Sequence, residues 1–416
     1  MRATARRAGS WYALLEGEDA RRATEAVESI GDALAVRSHT RQPHDHSLAD
    51  GRPGLALLYA YLARARPGRG FEETASRLTS ECVELLATVR MDASLFDGFT
   101  GILWLLAHLR GAGDPSSEHP NAAIDRRLLR HLGTSPWRRA YDLTSGLVGI
   151  GVYALERLPD PLAVACLELV IERLDDLAEK TEAGASWFTP PSLVPELQRP
   201  GAPAGYTNLG VAHGVPGVVA LLAAASGAGV APERSRALAD AAVRWLLDAR
   251  LADSGAVRYG YWIAAGAAPT PARSGWCYGD PGIAATLLVA ARSSGVQLWQ
   301  DTALELALVS AGRPFEETGV EDAWLCHGAA GLAHMFNRMY QATGAPELAT
   351  AARAWFARTL DLLEGPIDSP GFLTGAAGAA LALLAATSDV EPAWDRLLLL
   401  SVPPAELLRA PSDSLR

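Results

Sequence analysis

Cys277, Cys326 and His327 are residue types that bind metal ions, and the last two are adjacent in the chain. Two thiolates and one imidazole form a donor set that suits Zn²⁺. Only three protein ligands are evident, and catalytic zinc sites keep a fourth position for water or substrate. The sequence therefore predicts a zinc centre that can do chemistry. The alternative is that both cysteines are small buried hydrophobic residues.

A recurring G-x-x-G motif relates these residues to one another. Seven copies begin at Gly51, Gly98, Gly146, Gly214, Gly279, Gly328 and Gly375. Apolar residues follow each copy at helical spacing, for example Leu55, Leu58 and Leu62, so each copy predicts the start of an inner helix. Amphipathic stretches at 71–90, 161–180, 232–250 and 346–363 predict outer helices between the copies.

Helix pairs of this kind form either an open solenoid or a closed ring. Open solenoids need polar capping repeats, whereas the last copy, GAAGAALALLAA, is among the most apolar. We therefore predict an all-α protein, an α/α toroid of seven inner and seven outer helices. The repeats run from about residue 47 to 416, and we expect residues 1–416 to form a single domain.

Two longer spacings between copies leave room for insertions. The proline-rich segment 184–206 predicts irregular or β structure that projects from one end of the ring. The segment 251–274 contains Tyr259, Tyr261 and Trp262 near two arginines. Long loops on a rigid scaffold are where binding residues tend to lie.

The residue before the first glycine occupies an equivalent place in every copy. His213, Tyr278 and His327 stand there in copies four to six, and Cys277 and Cys326 stand one residue earlier. The chemically capable residues thus cluster in consecutive copies at one end of the ring. By itself this position leaves His213 either a packing residue or a functional one.

The motifs NLGVAHGVPG, SGWCYGDPG and WLCHGAAG, in this order, resemble the signature of the lanthionine synthetase C-like (LanC) cyclases. The resemblance covers essentially the whole chain and implies an α/α toroid with zinc at one mouth. It assigns the zinc ligands to Cys277, Cys326 and His327, and acid/base chemistry to His213. It also implies active-site roles for Asp142 in YDLTSG and for Arg273, and pocket-wall roles for Trp276 and Tyr278.

The reaction implied by the resemblance is thioether formation in a dehydrated precursor peptide. A cysteine thiol adds to dehydroalanine or dehydrobutyrine and gives lanthionine or methyllanthionine. Zinc coordination deprotonates a thiol, and a proton donor must then protonate the α-carbon of the enolate. The resemblance further implies that the insertion at 184–206 contacts the peptide, and that a dehydratase and a transporter are partners.

Two other functions use the same residue types. One is prenyl transfer to a peptide thiol on a zinc-containing toroid, although that ligand set normally includes a carboxylate. The other is a LanC-like zinc protein that binds thiols or glutathione, or acts as a scaffold, without cyclising a peptide.

Composition and charge exclude several other classes of function. The formal net charge of −10 over 416 residues argues against nucleic acid as a partner, because phosphate binding needs a basic face. Four widely spaced cysteines do not form a disulfide framework. The N-terminal apolar run is too short for a signal peptide, and the apolar stretches at 215–231 and 374–387 are too short to span a membrane. We therefore expect a cytoplasmic protein without direct membrane insertion.

Overall fold

Helices that alternate between an inner and an outer layer form most of the computed structural model, which describes residues 11–40, 44–111, 119–252, 255, 257–365 and 367–403. Within these ranges there are fourteen α-helices. They are α1 Gly17–Arg37, α2 Arg52–Ala65, α3 Phe71–Thr88, α4 Phe99–Arg110, α5 Ala122–Leu132, α6 Leu147–Glu156, α7 Pro161–Leu177, α8 Val215–Gly227, α9 Pro232–Asp248, α10 Asp280–Ser294, α11 Gln297–Ala311, α12 Ala329–Thr343, α13 Pro346–Leu362 and α14 Ala376–Thr387.

The seven even-numbered helices form the inner layer, and each begins directly after the first glycine of a G-x-x-G copy. Each inner helix contacts the next one around the ring, and α14 contacts α2. At that closing contact, a Cβ on Gly54 would lie only 2.8 Å from Cβ of Phe372, so the absent side chain is what lets α2 approach the last copy. The predicted closed α/α toroid of seven inner and seven outer helices is therefore confirmed.

The odd-numbered helices form the outer layer because each buries one apolar face on the inner ring and exposes a charged face. The four outer helices predicted from the sequence correspond to α3, α7, α9 and α13. The repeats were predicted to begin near residue 47, so α1 lay outside the prediction. This helix packs on α14, so the first described helix completes the last pair.

Backbone hydrogen bonds join the copies at the end of the toroid where all seven inner helices begin, which we call the mouth. The carbonyl of Phe96, two residues before its G-x-x-G copy, accepts from the amide of Leu48 in the preceding copy at 2.6 Å. Equivalent carbonyls accept at six junctions between the described copies, including the closing one from Phe372 to Ala49. Equivalent positions in the repeats therefore lie side by side around the mouth.

The two insertions contribute five short strands beside the mouth. Strands β1 Glu179–Thr181 and β2 Gly184–Ser186 form an antiparallel pair, and β3 Phe188–Thr189, β4 Tyr206–Asn208 and β5 Trp262–Ile263 form an antiparallel sheet in the order β3-β4-β5. Two 3₁₀ helices, Pro191–Leu193 and Glu196–Gly201, lie between β3 and β4. The predicted irregular or β insertion is thus confirmed, and the second insertion adds β5 to the same sheet.

The core continues to the opposite end of the toroid, where a 3₁₀ helix, Ala393–Leu398, follows α14. Its Asp395 is fully buried and accepts from Nε2 of His334 at 2.8 Å and from Nε of Arg338 at 2.7 Å. These buried contacts fix the segment on α12 and give His334 a structural role. Among the described helices, none is long and apolar enough to cross a membrane. That residues 1–416 form a single domain stays a prediction.

Candidate metal centre

Cys277, Cys326 and His327 converge at the mouth, where their ligand atoms all lie within 4.8 Å of one another. The Nδ1 atom of His327 lies 3.9 Å from Sγ of Cys277. A tetrahedral zinc ion with ordinary Zn–S and Zn–N bond lengths would place such a sulfur and nitrogen roughly 3.6 Å apart. The donor types and their spacing therefore fit a zinc ion, which supports the expected ligand set.

Backbone hydrogen bonds between neighbouring copies fix the two cysteines relative to each other. The amides of Trp276 and Cys277 donate to the carbonyl of Cys326 at 3.0 and 3.3 Å. The amide of Cys326 in turn donates to the carbonyl of Leu373 at 2.9 Å. Because both peptide groups of Cys326 are paired, the spacing of the two sulfur atoms is set by the toroid itself.

The junction between the fourth and fifth copies depends on a glycine. A Cβ on Gly210 would lie 2.3 Å from the carbonyl oxygen of Cys277 and 2.7 Å from Cδ1 of Tyr278. No side chain fits in that space without moving the backbone that carries the first sulfur ligand. Gly210 therefore lets the copy with His213 approach the copy with Cys277.

Electrostatics at the cluster favour a thiolate at Cys277. A hydrogen bond from the Cys326 thiol holds the pKa of Cys277 well below its usual range, against the opposing effect of burial and with further help from His327 and Arg273. The pKa of Cys326 is raised well above its usual range by the same hydrogen bond and by burial. The two sulfur atoms thus share one proton, and the thiolate at Cys277 favours the binding of a cation.

His213 and Asp142 form a second polar group at the mouth. Nδ1 of His213 lies 2.8 Å from Oδ2 of Asp142 and 3.2 Å from the hydroxyl of Thr144. Burial opposes the charged imidazolium, but the hydrogen bond and the charge of Asp142 outweigh it, so the pKa of His213 is raised. The amide of Ser145 donates to Oδ1 of Asp142 at 2.8 Å and orients the carboxylate. The structure therefore brings together the two residues that the resemblance had paired.

Tyr278 lies between the histidine pair and the inserted sheet. Its ring centroid is 6.3 Å from that of His213, and its hydroxyl accepts from the amides of Asn208 at 2.9 Å and Gln198 at 3.3 Å. Burial raises the pKa of Tyr278, so its hydroxyl stays protonated. Tyr278 therefore stands as a wall of the site, as expected.

Trp276 and Arg273 differ in where they lie. The indole N–H of Trp276 donates to the carbonyl of Leu398 at 2.9 Å, and its ring packs against Phe96. Trp276 is thus a core residue below the site and does not form the pocket wall that the resemblance implied. Arg273 lies close enough for its charge to lower the pKa of Cys277, after the larger effects of Cys326 and His327. Its buried Nε has no hydrogen-bond partner among the residues that the structure describes.

The other two cysteines serve as packing residues. Cys82 and Cys166 are free and buried, with exposed fractions of 0% and 2%. Burial raises the pKa of each thiol to about 12. They are small core residues, which separates them from the cysteines at the mouth.

Three residues that touch the site were not found from the sequence: Thr144, Asn208 and Asp322. Thr144 stands two residues before its glycine, at the position that Cys277 and Cys326 occupy in their copies. Asn208 and Asp322 stand five residues before His213 and His327. This shared spacing is the sequence signal that marks Asn208 and Asp322.

The model of the family described as lanthionine synthetase C-like protein matches residues 42–399. The chain belongs to the lanthionine synthetase C-like family. The nisin biosynthesis protein NisC of Lactococcus lactis subsp. lactis is 24% identical over an alignment of 373 residues that covers 81% of this chain and 84% of that protein. The solved structure of a nisin cyclase is similar with a TM-score of 0.75 and 22% identity, over 91% of this chain and 97% of that chain. The family resemblance and the toroid of this LanC-like protein are confirmed.

Proposed function

We propose that this LanC-like protein is a zinc-dependent cyclase of dehydrated precursor peptides. The observation that carries the proposal is the meeting of two groups at one mouth, the Cys277, Cys326 and His327 cluster and the His213–Asp142 pair. The similarity to NisC and to a nisin cyclase supports the same reaction class. The product is a lanthionine or methyllanthionine ring.

A zinc ion held by Cys277, Cys326 and His327 would supply Lewis acidity that turns a substrate cysteine into a bound thiolate at neutral pH. Three protein ligands leave a position for that thiolate. The donor set supports zinc over harder cations, because thiolates are soft ligands.

The reaction forms one C–S bond and moves one proton. The substrate sulfur bonds to the β-carbon of dehydroalanine or dehydrobutyrine, the π electrons shift toward the carbonyl, and the α-carbon of the resulting enolate takes a proton. His213 is the proposed proton donor, because its raised pKa keeps the imidazole protonated to higher pH. Asp142 holds Nδ1, so Nε2 is the nitrogen that faces the reacting carbon.

Positive potential at the mouth supports the same reaction. All seven inner helices begin there, and helix N-termini favour thiolate and enolate charge. Arg273 adds a cation, and within the described part of the chain its buried Nε has no hydrogen-bond partner. We propose that Arg273 stabilises the developing negative charge of the substrate.

The inserted sheet supports the proposal of a peptide surface beside the site. Phe188 in β3, Leu193 in the 3₁₀ helix that follows β3, and Ile263 in β5 expose 40%, 37% and 43% of their surface, so they offer apolar contacts to a peptide. The sheet joins the mouth through Tyr278, whose hydroxyl is bonded to Asn208 at the end of β4. We propose that segment 184–206 contacts the precursor peptide, and that a dehydratase and a transporter act with this protein on the same peptide.

The metal cluster favours cyclisation over prenyl transfer. Among the described residues, the group able to hold a metal contains two cysteines and a histidine, with no carboxylate. A labelled isoprenoid diphosphate should therefore not alkylate a peptide thiol in the presence of this protein.

The test is loss of free thiols from a dehydrated precursor peptide incubated with the zinc-loaded protein. The expected result is stoichiometric thiol loss without a change in peptide mass, because addition within the peptide neither gains nor loses atoms. A zinc-loaded protein that binds the peptide but leaves its thiols free would overturn the cyclase proposal in favour of a thiol-binding scaffold.

A further inference from the structure

The imidazole of His327 lies between a thiol and a carboxylate. Its Nδ1 is 3.9 Å from Sγ of Cys277, while its Nε2 is 3.6 Å from Oδ2 of Asp322. A neutral imidazole carries one proton, so the nitrogen that binds a metal must be the one without it. The carboxylate faces the nitrogen on the side away from the thiol cluster, where a proton would lie when Nδ1 binds a metal.

A turn of the backbone fixes the direction of the Asp322 carboxylate. Oδ1 accepts from the amide of Trp324 at 2.8 Å, and the carbonyl of Asp322 accepts from the amide of Ala329 at 2.9 Å. With one carboxylate oxygen held by the turn, Oδ2 is the oxygen left to face His327. The side chains of Asp322 and His327 remain 32% and 27% exposed, so their attraction through space alone is weak.

The same turn occurs in two other copies: in one no histidine stands at the equivalent position, and in the other the histidine, His213, pairs with Asp142 instead. Oδ1 of Asp92 accepts from the amide of Ser94 at 2.9 Å, and Oδ1 of Asn208 accepts from the amide of Gly210 at 2.8 Å. Each of these residues stands five before the residue that precedes its G-x-x-G copy. In the copy of Asp92 that following residue is Asp97. The turn is therefore a feature of the repeat, and the second oxygen of Asp322 has a further use.

We propose that Asp322 is a positioning residue for the metal centre: it accepts a hydrogen bond from the protonated Nε2 of His327 and so presents the Nδ1 lone pair to the metal. The inference rests on the proposed zinc site. Carboxylates that hold the second nitrogen of a histidine ligand fix the tautomer and orientation of the ring. The separation of 3.6 Å is that of an ion pair, and the hydrogen bond forms when metal binding places the proton on Nε2.

The test compares the zinc affinity of the wild type with that of Asp322→Asn, measured by competition with a coloured chelator. Asn keeps the turn, because Asn208 makes it at the equivalent position. The NH₂ group of the new Asn side chain then faces Nε2, and an NH₂ group cannot accept a hydrogen bond from a protonated Nε2. The expected result is a zinc affinity about 10- to 100-fold weaker than that of the wild type. Asp322→Glu, which restores a carboxylate, should recover part of the loss.

The matched control is Asp92→Asn, which changes the same turn in a copy where no histidine follows. It should leave zinc affinity at the wild-type value. An unchanged affinity in Asp322→Asn, or an equal loss in Asp92→Asn, would overturn the positioning role while leaving the zinc site in place. A wild-type protein that binds no zinc would overturn the proposed function and this role with it.

Discussion

Nδ1 of His213 lies 2.8 Å from Oδ2 of Asp142, although 71 residues separate the two in the chain. The contact joins the third and fourth copies of the repeat across the mouth. It fixes which nitrogen of the imidazole remains for proton transfer, and together with the charge of Asp142 it raises the pKa of His213 against the effect of burial. The acid/base role proposed for His213 depends on this pair.

Replacement of His213 should slow thioether formation without changing metal binding. In His213→Asn we expect the rate of thiol loss from the dehydrated peptide to fall by about 10²- to 10⁴-fold, because the proposed proton donor is gone. Zinc content, measured by atomic absorption, should equal that of the wild type, because His213 is not one of the proposed ligands. Full activity in this variant would show that another group protonates the α-carbon.

Replacement of Asp142 should change the pH dependence of the rate. In Asp142→Asn the hydrogen bond to the carboxylate and its charge are lost while burial of His213 remains, so the pKa of His213 falls. Because the protonated imidazole is the proposed acid, the decline of the rate at high pH should begin at a lower pH than in the wild type. The measurement is the single-turnover rate across the neutral range.

Asp97→Asn is the control for that pH profile. Asp97 also lies at the mouth, directly before a G-x-x-G copy, and its carboxylate accepts from the hydroxyl of Ser47 at 2.9 Å. Its replacement should leave the high-pH decline where it is in the wild type. An Asp142→Asn profile that coincides with the wild type would contradict the proposed coupling of Asp142 to His213.

A methyl group at position 210 should disturb both stability and the metal centre. In Gly210→Ala the new Cβ would lie 2.3 Å from the carbonyl oxygen of Cys277. We expect the free energy of unfolding to fall by about 1–3 kcal/mol, the usual cost of overpacking, and zinc affinity to fall with it. Denaturant unfolding and chelator competition measure the two effects.

The control for Gly210 is Gly312→Ala at the end of α11. There the nearest atom to a new Cβ would be the carbonyl oxygen of Leu308 at 3.6 Å, an ordinary contact. The free energy of unfolding should stay within roughly 0.5 kcal/mol of the wild type. Equal effects of the two substitutions would mean that the approach of Gly210 to Cys277 does not matter.

The fold could be predicted from the sequence because each G-x-x-G copy marks the start of an inner helix, and a small residue is needed wherever two copies approach closely. The convergence of Cys277, Cys326 and His327 could be predicted for the same reason, since equivalent positions in a ring lie side by side. Helix α1 could not, because its partner α14 is the last α-helix of the described residues and the pairing appears only when the ring closes.

The supporting residues of the site needed the structure. Asp142 was expected at the site only from the family resemblance, because its contact with His213 depends on the packing of two copies. The place of Trp276 was predicted wrongly from its neighbour Cys277. Trp276 and Cys277 lie in the segment before α10, where successive side chains point in different directions, so the indole enters the core and bonds to the carbonyl of Leu398 while Cys277 faces the mouth.

The most direct test of the account is the zinc content of the purified wild type, of Cys326→Ala and of the control Cys166→Ala, whose thiol is buried away from the mouth. We expect one zinc ion per chain in the wild type and in Cys166→Ala. In Cys326→Ala we expect both the zinc ion and the thiol-addition activity to be lost. Zinc retained in Cys326→Ala, or lost equally in Cys166→Ala, would contradict the proposed metal centre.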